Sequence, residues 1–256
     1  MSRIDPGLLY DTLHALVVRE LHVRYKNSLL GLLWAVLSPL GTVAILHLLF
    51  TRIVPLGIPH YAAFVYSGLL PWTWFQSALQ TGSGTLIDHR DLVRKPFFPR
   101  PLLPAVVTAS HFLLYLLALP VLVVLLLVEG VWPGPILALL PAVWLVQAIF
   151  TLACTTLVAA VGALVRDVQH LLGLVLLLWF YLTPVFYDLD RVKSVEARWL
   201  LLNPMAVIVQ AHRAIALEGR APDWLALGAC ALLGGVLLGA ALAVFRALEH
   251  LVIEEV

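Results

Sequence analysis

Residues 92–100 run Leu92, Val93, Arg94, Lys95, Pro96, Phe97, Phe98, Pro99 and Arg100, a basic and aromatic stretch punctuated by two prolines. Arginine and lysine supply charge-assisted hydrogen-bond donors, adjacent phenylalanines supply apolar anchors, and proline stops a helix from running through. Such a mixture is chemistry for recognising a partner rather than for making or breaking bonds. Groups of the second kind are scarce. The 256-residue chain has no HExxH, no GxxxxGK[ST] phosphate loop and no carboxylate pair inside its apolar stretches, so it is not expected to hydrolyse ATP itself. His47 and His111 are the ionisable groups at depth in those stretches, and a lone histidine on an apolar helix is ordinarily a hydrogen-bonded packing residue. Ser83, between Gly82 and Gly84, could pair with His111, but no third group orients the ring, and small residues there fit close helix packing better. Cys154 and Cys230 show neither CxxC nor Cys/His metal spacing, so no disulfide, metal or zinc site is expected.

The elements that must carry these residues follow from composition. Hydrophobic residues make up 62% of the chain and charged residues 12%, half the charged share of a soluble domain, and the mean hydropathy is +0.98. Six intervals lack Asp, Glu, Lys and Arg: 29–50, 61–87, 101–128, 134–165, 168–187 and 224–245. A helix needs roughly 20 apolar residues to cross a bilayer, and in lipid the backbone must satisfy its own hydrogen bonds. The fold class is therefore all-α and integral to the membrane, with six transmembrane helices across 29–256.

Residues 1–28 carry Arg19, Glu20, Arg24 and Lys26 where a signal peptide needs an apolar core, so they read as something else. Asp5 and Pro6 form an N-cap followed by proline at the first helical position, and Leu9, Leu13, Leu16, Val17 and Leu21 recur at helical spacing. The expectation is an amphipathic helix lying in the membrane interface.

Lysine and arginine in the loops set the orientation. With the N-terminus inside, ten of the 16 fall on the cytoplasmic side: Arg3, Arg19, Arg24, Lys26, Arg90, Arg94, Lys95, Arg100, Arg166 and Arg246. Five of the other six (Arg191, Lys193, Arg198, Arg213 and Arg220) share the long segment 188–223 with Asp188, Asp190, Glu196, Glu218 and Asp223. Both termini are expected inside. Within that outer segment, 199–212 is charge-free but too short to span, and Asn203-Pro204 should break it into two short helices dipping into the outer leaflet. A gate at the outer mouth and an amphipathic flap on the membrane both fit the pattern.

Tryptophan ordinarily marks membrane interfaces, where Trp132, Trp199 and Trp224 are expected. Trp72, Trp74 and Phe75 lie about a dozen residues into the second span, roughly 17 Å deep, just after Pro71, which should kink or open the helix. An aromatic wall beside a conduit for sugars, or ordinary helix packing, accounts equally for them. Gly235 and Gly239 form a GxxxG pair compatible with tight packing.

Residues 19–39, Arg-Glu-Leu-His-Val-Arg-Tyr-Lys-Asn-Ser-Leu-Leu-Gly-Leu-Leu-Trp-Ala-Val-Leu-Ser-Pro, closely resemble the approach to the first span in type-2 ABC permeases that export polysaccharides and polyol phosphates. Trp72-Thr-Trp-Phe75, the 92–100 stretch with Pro104, Arg166-Asp167, Asn203-Pro204 and Glu249 match that family in order, so the resemblance covers nearly the whole chain. Asp91 stands where asparagine is frequent and Pro96 where valine is frequent.

The resemblance implies a complex of two permease copies and two ATP-binding subunits, the latter on a separate polypeptide that binds ATP and magnesium. This chain then needs no cofactor and no nucleic acid. The ATPase-coupling surface would comprise Arg19, Glu20, Arg24, Tyr25, Lys26, Leu92, Arg94, Lys95, Phe97, Phe98, Pro99, Arg100, Arg166 and Asp167. Trp34, Trp72, Trp74 and Phe75 would line the conduit between the two copies, and Asn203, Pro204 and Met205 would form the outer gate. The cargo implied is a lipid-linked glycan such as O-antigen, capsule or teichoic acid, moved out through the inner or plasma membrane. A type-2 ABC permease for drugs or lipids, or a membrane-embedded enzyme of glycan metabolism, are the alternatives, and the charge-free spans argue against the enzyme.

Overall fold

A computed structural model describes residues 6–26, 30–95, 98–132, 134–165, 167–189, 199–200 and 202–255. Helices are α1 (Pro6–Tyr25), α2 (Trp34–Leu48), α3 (Tyr61–Asp88), α4 (Arg90–Val93), α5 (Leu102–Val128), α6 (Leu140–Leu164), α7 (Val168–Leu182), α8 (Pro204–Ala216) and α9 (Trp224–Glu255). A 3-10 turn leads into α2, a π-turn ends it at Ile53, and a second 3-10 turn, Pro135–Leu139, leads into α6. No strand occurs among the described residues.

Among the described residues, four stretches are long and apolar enough to cross a membrane: Gly31–Ile53, Leu102–Val128, Pro135–Leu164 and Trp224–Leu248. The other two expected spans are helical but differ. α3 is long, at 28 residues, and sits in the middle of the bundle, packed against α2, α5, α6, α7 and α8. A central helix has no lipid to satisfy, so it can carry Gln76, Gln80 and several hydroxyls. α7 has 15 residues and stops at Leu182, five short of the interval read from the sequence. The reason is Pro184: its ring drives the preceding residue out of the α region, and Thr183 is extended at φ −104°, ψ 130°.

α3 runs through Pro71 without a break. Its partner α6 approaches closely where both helices have glycine. A Cβ on Gly162 would strike the Ser83 carbonyl oxygen, and one on Gly82 would strike the Thr155 methyl. Close packing is thus the role of the Gly82–Gly84 region, and Ser83 donates to the Gln80 carbonyl at 2.8 Å rather than forming a dyad with His111. The GxxxG expectation fails, because Gly235 and Gly239 face open space. The tight contact of α9 on α6 is made at Gly234, against the backbone of Phe150.

Two core clusters divide the bundle lengthwise. The larger runs from α2 and α3 to α8 and α9, and a smaller one gathers Leu86, Val93, Leu103, Ala159, Ala160, Ala163 and Phe245 at one end. That end also holds α1 and α4, and the opposite end holds α8 and the turn after α7.

Candidate functional site

At the α4 end, a four-residue helix and the turn after it present charge outward and apolar groups inward. Arg90, Asp91, Arg94 and Lys95 are exposed, whereas Val93 is fully buried in the smaller cluster, with Leu92 and Phe98 packed on its edge. The Arg100 Nε donates to the Val93 carbonyl at 2.9 Å, and Leu102 N to the Pro99 carbonyl at 2.8 Å, so the turn folds back on itself before α5 begins. Arg100 and Pro99 are half-buried. Asp167 is exposed just before α7. Phe97 and Arg166 lie outside the described residues, and Tyr25 is described only as the last residue of α1.

α1 starts at Pro6 and turns Leu13, Leu16, Val17 and Leu21 toward the bundle, against α5. Its outer face mixes Arg19, His22 and Lys26 with the exposed Tyr10, Val18 and Val23. Glu20 and Arg24 lie on the inward side, 3.1 Å apart, with Glu20 3.8 Å from the His89 Nε2. Arg24 goes deeper. Its Nη1 meets the His111 Nε2 at 3.1 Å, and its Nη2 donates to the Thr81 hydroxyl at 3.1 Å. The structure therefore separates residues that were grouped together in the sequence: Arg19 and Lys26 face outward, and Arg24 faces the helices. His111 is not a lone histidine but the acceptor for that arginine.

The deep aromatics are packed within the chain. Trp72, Trp74 and Phe75 are each at most 2% exposed. Trp72 donates to the Gln76 Oε1 at 2.7 Å and lies against Phe75 and Phe180, and Phe75 sits between Phe150 and Trp179. Trp74 donates to the Thr108 carbonyl at 3.1 Å, and its ring centroid is 4.8 Å from that of Phe112. Trp34 differs in being half exposed. It borders a cavity of about 210 Å³ with Trp74, Ser38, Thr73, His111 and Arg24, so two indoles and several hydroxyls meet there.

At the other end, Asn203 is the junction of two helices. Its Oδ1 accepts from Met205 N at 3.0 Å, capping α8, and from the Trp179 Nε1 at 2.9 Å, while its Nδ2 donates to the Leu182 carbonyl and the Thr183 hydroxyl. Pro204 takes the first position of α8, where its missing N–H costs nothing. Before it, Asn203 N donates to the Leu200 carbonyl at 3.1 Å, and α8 begins at Pro204. This helix is no flap, because Met205, Ala206, Ile208 and Val209 are buried completely against the bundle.

Two charged residues that the sequence patterning left unmarked also hold this end. Arg213, 5% exposed, lies 3.6 Å from the Phe64 ring centroid and donates to the carbonyls of Phe64 (3.3 Å), Pro184 (2.5 Å) and Val185 (2.5 Å). Burial pushes its guanidinium down from the ordinary arginine range, and Asp188 and Glu218 pull it back up. An arginine ending a charge-free run of membrane-inserted length was the available signal. Glu129, directly after α5, accepts from Ala62 N and Ala63 N at 3.2 and 3.3 Å and so caps the first turn of α3 with a carboxylate. Among the described residues there is no cluster of His, Cys, Asp or Glu that could hold a metal ion.

Comparison with known proteins adds what geometry alone does not. Residues 12–217 match the family described as ABC-2 type transporter. The chain is 40% identical to the O-antigen export system permease protein of Myxococcus xanthus over 91% of this chain and 90% of that protein. It is 31% identical to the O-antigen export system permease protein of Klebsiella pneumoniae over 83% of each, and 26% identical to the polysialic acid transport protein of Escherichia coli over 93% of this chain and 94% of that one.

Proposed function

Because this chain belongs to the ABC-2 type transporter family, we propose that it is the membrane half of a polysaccharide exporter and that a separate ATPase drives it. The chain is a multi-pass permease subunit of the polysaccharide-exporting kind. Its relatives export O-antigen or transport polysialic acid, so a lipid-linked glycan leaving the cytoplasm is the cargo we assign.

The observation that carries the reading is the separation of two built features to opposite ends of one bundle. At one end, α4 displays Arg90, Asp91, Arg94 and Lys95 on an apolar footing, beside the outward face of α1 with Arg19 and Lys26; this is where the ATPase docks. At the other, Asn203, Pro204 and Met205 hold α8 inside the bundle mouth as the outer gate. The lysine and arginine bias supports placing the α4 end, and both termini, in the cytoplasm. α3 and α7 complete six spans, α7 with help from the extended residues after Leu182. Two permease copies enclose the conduit, and within it Trp34 is the indole with access to open space, with the buried Trp74 in the wall of the same cavity and Trp72 and Phe75 behind it.

The test is to delete the gene, complement it and follow surface glycan, while purifying the permease with the ATPase encoded beside it. Export restored by wild type, ATPase co-purifying, and loss of that association in a Phe97→Ala/Phe98→Ala double variant are the expected results. A permease to which no ATPase binds, and whose loss leaves surface glycan unchanged, would overturn the reading.

A further inference from the structure

Arg24 does not point where an ATPase could touch it. Its guanidinium reaches Thr81, seven residues before the end of α3, and His111, nine residues after the start of α5. At 1.5 Å per residue these are about 10 and 14 Å into the bundle. Only about a quarter of the side chain is exposed, and Glu20, one turn back on the same helix, braces it at 3.1 Å. Arginine has no acceptor, so the His111 Nε2 must accept from it, which places the ring proton on Nδ1. The Thr81 hydroxyl lies 3.1 Å from the same Nε2, closing a triangle of three side chains from three helices. A planar fork with several fixed donors holds such a triangle, and a lysine, with one flexible point charge, does not.

We propose that Arg24 is a positioning residue that fastens the last turn of α1 to α3 and α5, so that a displacement of α1 by the ATPase moves both helices together. The proposal rests on the exporter reading above. It removes Arg24 from the ATPase-facing surface and gives it a transmission role through His111 and Thr81. Coupling of this kind needs a contiguous set of contacts that both ends bias, and these hydrogen bonds tie the last turn of α1 to both helices.

The experiment compares wild type, Arg24→Gln, Arg24→Lys, His111→Asn, Thr81→Val and the double variant Arg24→Gln/His111→Asn, each purified with its ATPase, with Asp11→Asn, exposed on α1 away from the docking face, as a control. ATP hydrolysis by the complex and surface glycan in complemented cells are read together. The expected result is normal co-purification, hydrolysis within about twofold of wild type, and export per ATP reduced at least tenfold in Arg24→Gln, with Arg24→Lys not rescuing it. Because the two residues act through each other, the double variant should be no worse than the worse single one. Loss of ATPase binding in Arg24→Gln but not in His111→Asn would return Arg24 to the docking surface and overturn the proposal. Wild-type export in Arg24→Gln, or strictly additive losses in the double variant, would overturn it too, in each case leaving the exporter reading intact because wild type still exports. If even wild type neither binds the ATPase nor supports surface glycan, it is the exporter reading that has failed.

Discussion

The indole N–H of Trp179, in the last turn of α7, donates to the side-chain oxygen of Asn203 at 2.9 Å, and that same oxygen accepts the backbone N–H of Met205. One amide therefore joins the end of one helix to the start of the next. Replacing Asn203 by alanine removes an N-cap, worth about 1 kcal/mol, and leaves the Trp179 indole N–H without its acceptor in an apolar setting, while the Thr183 hydroxyl keeps its donation to the Trp179 carbonyl. We expect Asn203→Ala to lower the thermal midpoint in detergent by several degrees. Asn203→Asp, which keeps the cap but loses the donors to Leu182 and Thr183, should fall between. Equal midpoints for all three proteins would mean that this junction bears no stability.

Gly162 and Gly239 test close packing in opposite directions. Alanine at 162 meets backbone, which cannot swing away, so Gly162→Ala should push α6 off α3 and cost on the order of 1–3 kcal/mol. Alanine at 239 meets nothing within 4 Å and should be neutral or slightly stabilising through helix propensity. Labelling of the buried Cys230 and half-buried Cys154 by a thiol dye during heating reads both unfolding curves.

These contrasts show what was legible in the sequence. Helix extents follow from charge-free length to within a few residues, except after Leu182, where Pro184 ends α7 early, and in α9, which runs on to Glu255, ten residues past the charge-free interval 224–245. The 92–100 stretch overlaps α4 at Leu92 and Val93, and Asn203 is the cap of α8. Direction within a helix was harder. Arg19 and Arg24 look alike as basic residues five apart, yet one faces out and the other in, because Arg24 alone has His111 and Thr81 opposite it. Such pairings join residues 57 and 87 positions apart, and no local pattern encodes them. Likewise a pair of glycines at GxxxG spacing is silent about which of its neighbours meets the facing helix.

Trp34 and Trp72 separate the proposed conduit from the core. Trp34 is half exposed beside the cavity it shares with Trp74, so Trp34→Ala should leave the thermal midpoint nearly unchanged while reducing export several-fold. Trp72 is 1% exposed and wedged between Phe75 and Phe180, so Trp72→Ala should cost about 3–5 kcal/mol of stability and fail to accumulate. Surface glycan normalised to the amount of folded permease distinguishes the two. Full export by Trp34→Ala would remove that indole from the conduit.

His212 on α8 predicts a pH dependence. Its Nδ1 donates to the Ile208 carbonyl at 2.9 Å, its Nε2 has no hydrogen-bond partner among the described residues, and burial holds it at about 4, below the ordinary 6.5. A depressed folded value means that the unfolded chain takes up the proton first. The stability from keeping this ring neutral is thus complete above about pH 6.5 and is lost as pH falls toward 4, on the order of 3 kcal/mol in all. The midpoint of wild type should fall more steeply than that of His212→Gln between pH 7 and 5. Parallel curves would show that the ring titrates alike in both states.

Arg213 makes the largest single prediction at the gate end. Three carbonyls from α3 and the turn after α7 depend on its donors, and its charge rests on the Phe64 face. Leucine at 213 would leave the Pro184 and Val185 carbonyls buried and unpaired, a cost of about 1–3 kcal/mol for each. Lysine would keep the charge but can address only part of the set, because its donors do not form a planar fork. The turn after α7 should therefore loosen in Arg213→Lys even if the bundle survives. Proteolysis between 183 and 199 reads this directly: cleavage several-fold faster in Arg213→Lys than in wild type, with helices α3, α5 and α6 still protected, is the expected pattern. Unchanged cleavage would mean that Asn203 and Tyr61, whose hydroxyl donates to the Phe186 carbonyl at 2.9 Å, hold the turn without the arginine.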